Sequence, residues 1–418
     1  MLQENRLLAG AGKARIILAP ELFPLEQFTG EHDFIHVRSV IIKKEKTVVI
    51  VSIEIPSVRS KEVMEKLRDI VIEETGAGTE DIWICTTHNL STVHIPDSQS
   101  LQKKHEIYVR ELYKACRAAV QAAKKDLREA WMGYAVTTLA INTSRDIHTK
   151  QGWWNGLRGE SQEDHELTVL KLEDDRKCPI AVLIQYPMKP WAANGAVDEE
   201  GKRLSTSEIS GYACQRVEEK LGGTAVYFMG SAADMVPLKS ACYAETDENG
   251  NLREVNLGVE SGLQFVSEEG KALGDAVIDA ASEISMKKEV LFKSEKKSFR
   301  YPGQKFYYEG RPYRPTPDHI FYPAEEEGLD VNMLCLDRCV LLGMAPETTA
   351  VLGIKLRESV GIRALLCSLV NGGKDYLADE LSYERKTFCA THSVFARGVG
   401  EQFIKDAGKW ITEIYSCE

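Results

Sequence analysis

The chain reads as an α/β protein built from mixed β-sheet layers with flanking helices. Apolar runs of strand length alternate with segments at helical spacing, which argues for sheets covered by helices. Two pairs of runs, 35–43 with 47–54 and 166–172 with 179–186, are joined by short charged turns and read as hairpins. Hairpins need antiparallel neighbours, so the sheets are expected to be mixed rather than purely parallel. At 418 residues the chain exceeds one ordinary core, so one large elaborated domain or two closely joined lobes are expected.

In order, residues 12–18 form a first strand ended by Ala19-Pro20. The hairpin 35–54 follows, its tip Lys43-Lys-Glu-Lys46. Val63, Met64, Leu67, Ile70 and Val71 give a helix over 60–75, and Gly76 stops it. The run Trp83-Ile-Cys-Thr-Thr-His88 is a short strand that leads into a polar loop. A long helix covers 101–127, with His105 expected on its solvent face. Residues 130–141 are strand-like and lead through Asn142-Thr-Ser-Arg145 into a Gly/Trp-rich loop at 151–159. The second hairpin, a helix at 206–221, a strand at 223–229 and a helix at 258–285 come next. A strand at 289–300 precedes 301–330, which is rich in Tyr, Pro and Glu and reads as a long covering loop. The alternation resumes with an apolar run at 331–344, a helix at 347–359, a strand at 363–370 and a closing helix at 393–413. No internal sequence repeat is visible.

The totals exclude several classes. A net charge of −11 and a pI near 5.5 argue against nucleic acid or anionic membrane as partner. No apolar run is long enough to span a membrane, and Met1-Leu-Gln-Glu-Asn-Arg lacks the form of a secretory signal, so a cytoplasmic protein is expected. The ten cysteines are then expected to be reduced and mostly buried.

Four patches place polar or ionisable residues just after an apolar strand: Thr87-His88, Lys189-Pro190, Ala345-Pro346-Glu347 and Asp375-Tyr376. Loops at the ends of strands can bring such groups together from distant sequence. Each has a structural alternative. His88 alone reads first as a hydrogen-bonded loop residue, and Glu347 can be a first-turn helix carboxylate, Tyr376 a packed ring and Lys189 a solvated residue. Arg145 suits a substrate carbonyl or carboxylate by its fork, or a surface ion pair. Asp234 is expected to stabilise its own Gly230-Ser-Ala-Ala turn.

The collinear set Ala9-Gly-Ala-Gly-Lys-Ala-Arg-Ile-Ile-Leu-Ala-Pro20, Thr86-Thr-His88-Asn, Asn142-Thr-Ser-Arg145, Tyr186-Pro-Met-Lys189-Pro190, Gly230-Ser-Ala-Ala-Asp234-Met-Val236-Pro237, Pro346-Glu347-Thr and Asn371-Gly-Gly-Lys-Asp-Tyr376 resembles the catalytic domain of the neutral, non-lysosomal ceramidases and their bacterial relatives. The resemblance covers nearly the whole chain and implies a single domain over 1–418, with that family's C-terminal immunoglobulin-like domain expected to be missing. It implies a zinc ion that activates water to cleave an amide. The corresponding positions here are His88, Lys189, Glu347 and Tyr376. Lys189 stands where the family has a histidine, and a protonated lysine has no lone pair for a metal. Leu90 and Val236 stand where the family has a histidine and a serine.

Three readings follow. The first is a metal-dependent hydrolase of an amide or related bond in a small molecule, with zinc on His88, Glu347 and Tyr376 and a replacement ligand such as His94, Asp146 or His148. In the second, Lys189 replaces the metal cation: its ammonium packs against Glu347 near Tyr376 and binds an anionic small molecule or acts as acid, base or electrophile, with Arg145 and Tyr376 as further catalytic candidates. The third is a non-catalytic, scaffold-like member.

Overall fold

The computed structural model describes residues 6–96, 100, 102–305 and 314–416. One topology is used three times: three antiparallel strands, a helix, a fourth strand parallel to the third, and a second helix. In the first unit the sheet runs Ile82–Thr86, Thr47–Ile53, His36–Lys43, Leu8–Arg15, with the short Arg128–Glu129 at its edge. Helix α1 (Lys61–Thr75) makes the crossover, and α2 (Lys103–Lys125) covers the same face. The second sheet runs Thr224–Met229, Pro179–Tyr186, Glu166–Glu173, Trp131–Thr138, with α3 (Glu208–Leu221) and α4 (Gly258–Ser282). The third runs Arg363–Cys367, Cys339–Met344, Tyr322–Leu336, Phe292–Lys305. It has α5 (Ala350–Ser359) as crossover, then the short α6 (Glu380–Arg385) and α7 (Phe388–Thr391), and finally α8 (Val399–Ser416). In each of these sheets the third and fourth strands form a parallel pair.

The period-2 pattern explains why the sheets pack as they do. One face of each strand set points outward to its helices. The other face meets the other two sheets in a shared core that includes Val40, Ile50, Leu170, Phe228, Leu334 and Leu365. Trp83 is fully buried there, against Gly343, where an added Cβ would stand 2.7 Å from its ring. Close approach also sets α2 on its sheet. A Cβ on Gly10 would come 2.2 Å from the Ala123 carbonyl oxygen, and one on Gly12 2.5 Å from the Ala122 Cβ. Helix α1 begins and ends as its sequence suggests. The Ser60 side chain accepts the Val63 N–H, and Gly76, at φ +70°, sends its N–H back to Ile72.

Several sequence expectations are corrected. Most of the described part of 301–330 is not loop: the third sheet's long hairpin takes 301–305 and 322–330, while 306–313 lie outside the described residues. Alternation in those strands was masked by Glu325–Glu327, which face solvent on both sides of an overhanging ribbon. His105 is buried, because Glu26 reaches over to accept its Nε2–H at 2.9 Å. Residues 152–155 form a strand paired with 146–149. Helix α5 starts at Ala350, so Glu347 precedes it and lies in a two-residue strand, Glu347–Thr348, beside Tyr376–Leu377. The closing helix starts at Val399 rather than at 393. Most of the described cysteines are buried. Among the described residues, no helix is long and apolar enough to cross a membrane.

Candidate functional site

The carboxyl ends of the parallel pairs converge and lock together. The Thr86 N–H donates to Leu369, the Ser368 N–H to Met229 and the Thr87 N–H to Ile53, while the Ser52 hydroxyl donates to Tyr227. The loops that leave these ends carry the four patches named from the sequence. His88 follows the first unit's fourth strand, Lys189 the second unit's third strand, and Glu347 and Tyr376 the third unit's third and fourth strands.

His88 sits at φ +64°, a backbone conformation that a side-chain-bearing residue rarely adopts and that clusters at functional sites. The turn is held by Asn89, whose side-chain amide donates to the Thr206 carbonyl at 2.7 Å and whose oxygen accepts the Ser91 N–H at 2.8 Å. The imidazole Nδ1 lies 3.1 Å from the Pro56 carbonyl, which makes Nδ1 the protonated nitrogen. Nε2 faces Glu347 Oε1, also at 3.1 Å, a contact that needs a proton between the two atoms. The backbone of the Lys189 loop is fixed by its own N–H on Met235 and by the Tyr227 hydroxyl on the Met188 carbonyl. Its ammonium, with no solvent exposure, lies 2.5 Å from Glu347 Oε2. One carboxylate therefore bridges an imidazole and an ammonium.

Electrostatics follow from burial. Burial pushes the His88 ring below its usual range, against the pull of Glu347. Burial and the nearby Arg145 charge bring Lys189 down to about 8, again against Glu347. Burial alone would raise the Glu347 carboxyl, but His88 and Lys189 outweigh it and hold the group well below the carboxylate range. Burial keeps the Tyr376 phenol protonated.

Three residues that sequence reasoning missed complete the cluster. The Trp191 indole N–H donates to the His88 carbonyl at 2.8 Å, and its ring lies 4.5 Å from the Lys189 nitrogen and 5.1 Å from the His88 ring. Its place two residues after Lys189 was the available signal. Cys389 and Phe388, on α7, flank Arg145, and a four-residue helix offers no periodicity to find them by. Arg145 is buried beside these rings, not at the surface. Asp234 reaches forward to accept the Ala350 N–H at the start of α5, beyond its own turn. The remaining ligand candidates have other partners. His94 donates to Glu26 at 2.7 Å, Asp146 accepts from Ser161, and His148 lies against the Trp153 ring.

A zinc ion on His88, Glu347 and Tyr376 does not fit this donor set. One carboxylate oxygen is taken by the Lys189 ammonium, which has no lone pair for a metal and would repel it. Among the described residues no group of three or more His, Cys, Asp or Glu is arranged to hold a metal. A cavity of about 140 Å³ opens beside the cluster, lined by Arg145, Trp191, Asn155, Asn194, Val236 and Ser240. Larger clefts, of about 640, 680 and 550 Å³, lie along α8, beside Arg38 and beside Asn332 and Asn371.

No protein-family model matches the chain, and no curated protein matches it. Solved structures do. A structure described as a ceramidase complexed with C2 superposes with a TM-score of 0.72 at 15% identity, covering 98% of this chain and 76% of its own. The neutral ceramidase from Pseudomonas aeruginosa gives 0.70 at 16%, covering 98% and 75%. The chain thus has the fold of these ceramidases.

Proposed function

We propose that this chain is a hydrolase of an amide or related bond in a small molecule, and that the Lys189 ammonium does there what a metal ion would otherwise do. The observation that carries this reading is the contact of Lys189 with Glu347, with His88 on the other carboxylate oxygen. The likeness in fold to ceramidases supports a hydrolase. In this reading Lys189 donates to the substrate carbonyl and stabilises the oxyanion, and Glu347 keeps it charged. In the working form His88 is neutral with its Nδ1–H on Pro56, a water stands between Nε2 and Glu347 Oε1, and Nε2 takes a proton from that water as its oxygen bonds to the carbonyl carbon. Glu347 then steadies the imidazolium. The C–N bond breaks as the amine leaves with a proton returned from His88.

Elemental analysis of protein purified without chelator or histidine tag tests this directly. Far less than one equivalent of zinc is expected in the parent, and about one equivalent in Lys189→His, which restores a lone pair. Stoichiometric zinc in the parent, lost on changing His88, would overturn the proposal.

The pH profile gives a second check. Lys189 must be protonated and His88 neutral, so kcat/KM on a panel of small anilides should fall as pH rises through about 8. On the acid side it should fall only below the usual histidine range. A rate that climbs through pH 8 would mean that the neutral amine is the reactive form.

The complete burial of Lys189 favours one alternative, a binding protein without turnover. Saturable binding with no hydrolysis across the panel would select it.

A further inference from the structure

We infer that the cavity lined by Arg145 and Trp191 is a binding site for a small carboxylate, held by the guanidinium of Arg145. This names the substrate class of the centre proposed above and rests on that reading.

Arg145 is 2% exposed, and its backbone is pinned on both sides: its N–H donates to Asp234 at 2.8 Å and its carbonyl accepts from Gly156 at 2.6 Å. Its guanidinium lies 5.2 Å from the Phe388 ring, 5.7 Å from Tyr376 and 5.8 Å from Trp191. One terminal nitrogen reaches the Cys389 sulfur at 3.5 Å, and Nε has no hydrogen-bond acceptor among the described residues.

Arg38 shows what this chain does with a buried arginine that serves structure. It is 3% exposed and is held by the carboxylates of Glu54 and Glu218. Among the described residues no carboxylate lies at ion-pair distance from Arg145. Of the acids near it, Glu347 is engaged by Lys189 and His88, Asp146 accepts from Ser161 at 2.8 Å, and Asp234 accepts from Ala350 at 2.9 Å. Burial pushes both aspartates up, which weakens them as counter-charges. Two buried cations thus share Glu347, with Asp146 a more distant counter-charge to Arg145, and an anion in direct contact with the guanidinium would compensate it.

The cavity fits that guest. Its volume of about 140 Å³ is well under the roughly 300–1,000 Å³ of pockets for drug-sized ligands. Its lining includes Arg145 and Trp191 together with the apolar residues Leu157 and Val236. A planar carboxylate matches a guanidinium edge with two parallel hydrogen bonds. The buried Asn155 Oδ1 in the same lining also has no partner among the described residues, and so offers an acceptor to a hydroxyl on the guest.

The test is calorimetry and thermal melting of the full chain with propionate and lactate, set against propionamide, lactamide and inorganic phosphate. The acids are expected to bind saturably, and the amides about tenfold more weakly or worse, because they lack the charge-assisted pair. Arg145→Met should abolish binding of the acids while leaving the melting temperature of the ligand-free protein unchanged or higher, since it removes an uncompensated buried charge. Arg145→Lys should bind about tenfold more weakly, because it keeps the charge and loses the fork. Equal binding of acids and amides, equal binding of phosphate, or retained binding in Arg145→Met would overturn the assignment. So would an Arg145→Met protein that melts well below the parent, which would mark the residue as structural. Acid binding without any hydrolysis would sink the hydrolase reading and leave this one standing. Hydrolysis of neutral amides without acid binding would do the reverse.

Discussion

Lys189→Met should destabilise the protein by about 3 kcal/mol, measured by urea unfolding at neutral pH. The methionine fills the volume of the lysine stem but leaves Glu347 ionised and almost fully buried, with His88 as its remaining ion-pair partner among the described residues. Removing one partner of a buried pair costs far more than the pair contributes, because the remaining charge loses its compensation. The double variant Lys189→Met/Glu347→Leu should recover most of the loss, as apolar replacement of a whole buried pair is often neutral. Acid titration supplies the sign. Glu347 has a folded pKa below its unfolded one, so its contribution is complete above the unfolded value of about 4.3 and disappears as pH falls through the folded one. Lys189→Met should flatten that acid-side loss. A change under about 1 kcal/mol, the scale of an exposed pair, would mean that water reaches the carboxylate.

Gly10→Val should prevent the first unit from folding, or cost about 3 kcal/mol or more where folded protein is obtained. The new Cβ would stand 2.2 Å from the Ala123 carbonyl oxygen and 2.7 Å from the Leu127 nitrogen, both backbone atoms at the end of α2. A side chain can rotate away from such a clash, but a helix backbone cannot move without lifting Leu112, Ala119 and Val120 out of their core. Gly361→Ala is the matched control, since its Cβ meets nothing within 4 Å, and it should stay within about 0.5 kcal/mol of the parent. Equal melting temperatures for the two variants would show that α2 does not sit on the sheet as described.

The strands and helices were legible because hydrophobic period survives in one sequence, and the four site patches were legible because a polar residue just after an apolar strand is a local signal. The threefold use of one topology was not. The units share strand order and packing faces but no residues that would register as a repeat. His105 read as exposed because the carboxylate that buries it, Glu26, is far away in sequence. Glu347 read as a helix residue because its strand partner, Tyr376, contributes only two residues to the pairing. Arg145 gave no hint that its surroundings are aromatic rings and a thiol rather than water, since those groups come from around residue 191 and from 376–389. In each case the missing information was a long-range contact.

The three-part design also bears on how the chain is made. His88 leaves the ribosome with the first unit, but Glu347, Tyr376 and Cys389 emerge some 250–300 residues later, which at about 5–20 residues per second is a delay of tens of seconds. Throughout that interval the inner face of the first sheet, with Val40, Ile42, Ile50 and Trp83, lacks the third sheet that covers it. The nascent protein therefore carries an apolar sheet face that needs shielding during synthesis. The cluster around Lys189 comes into being only when the last of the three sheets docks, which makes it a reporter of completed assembly.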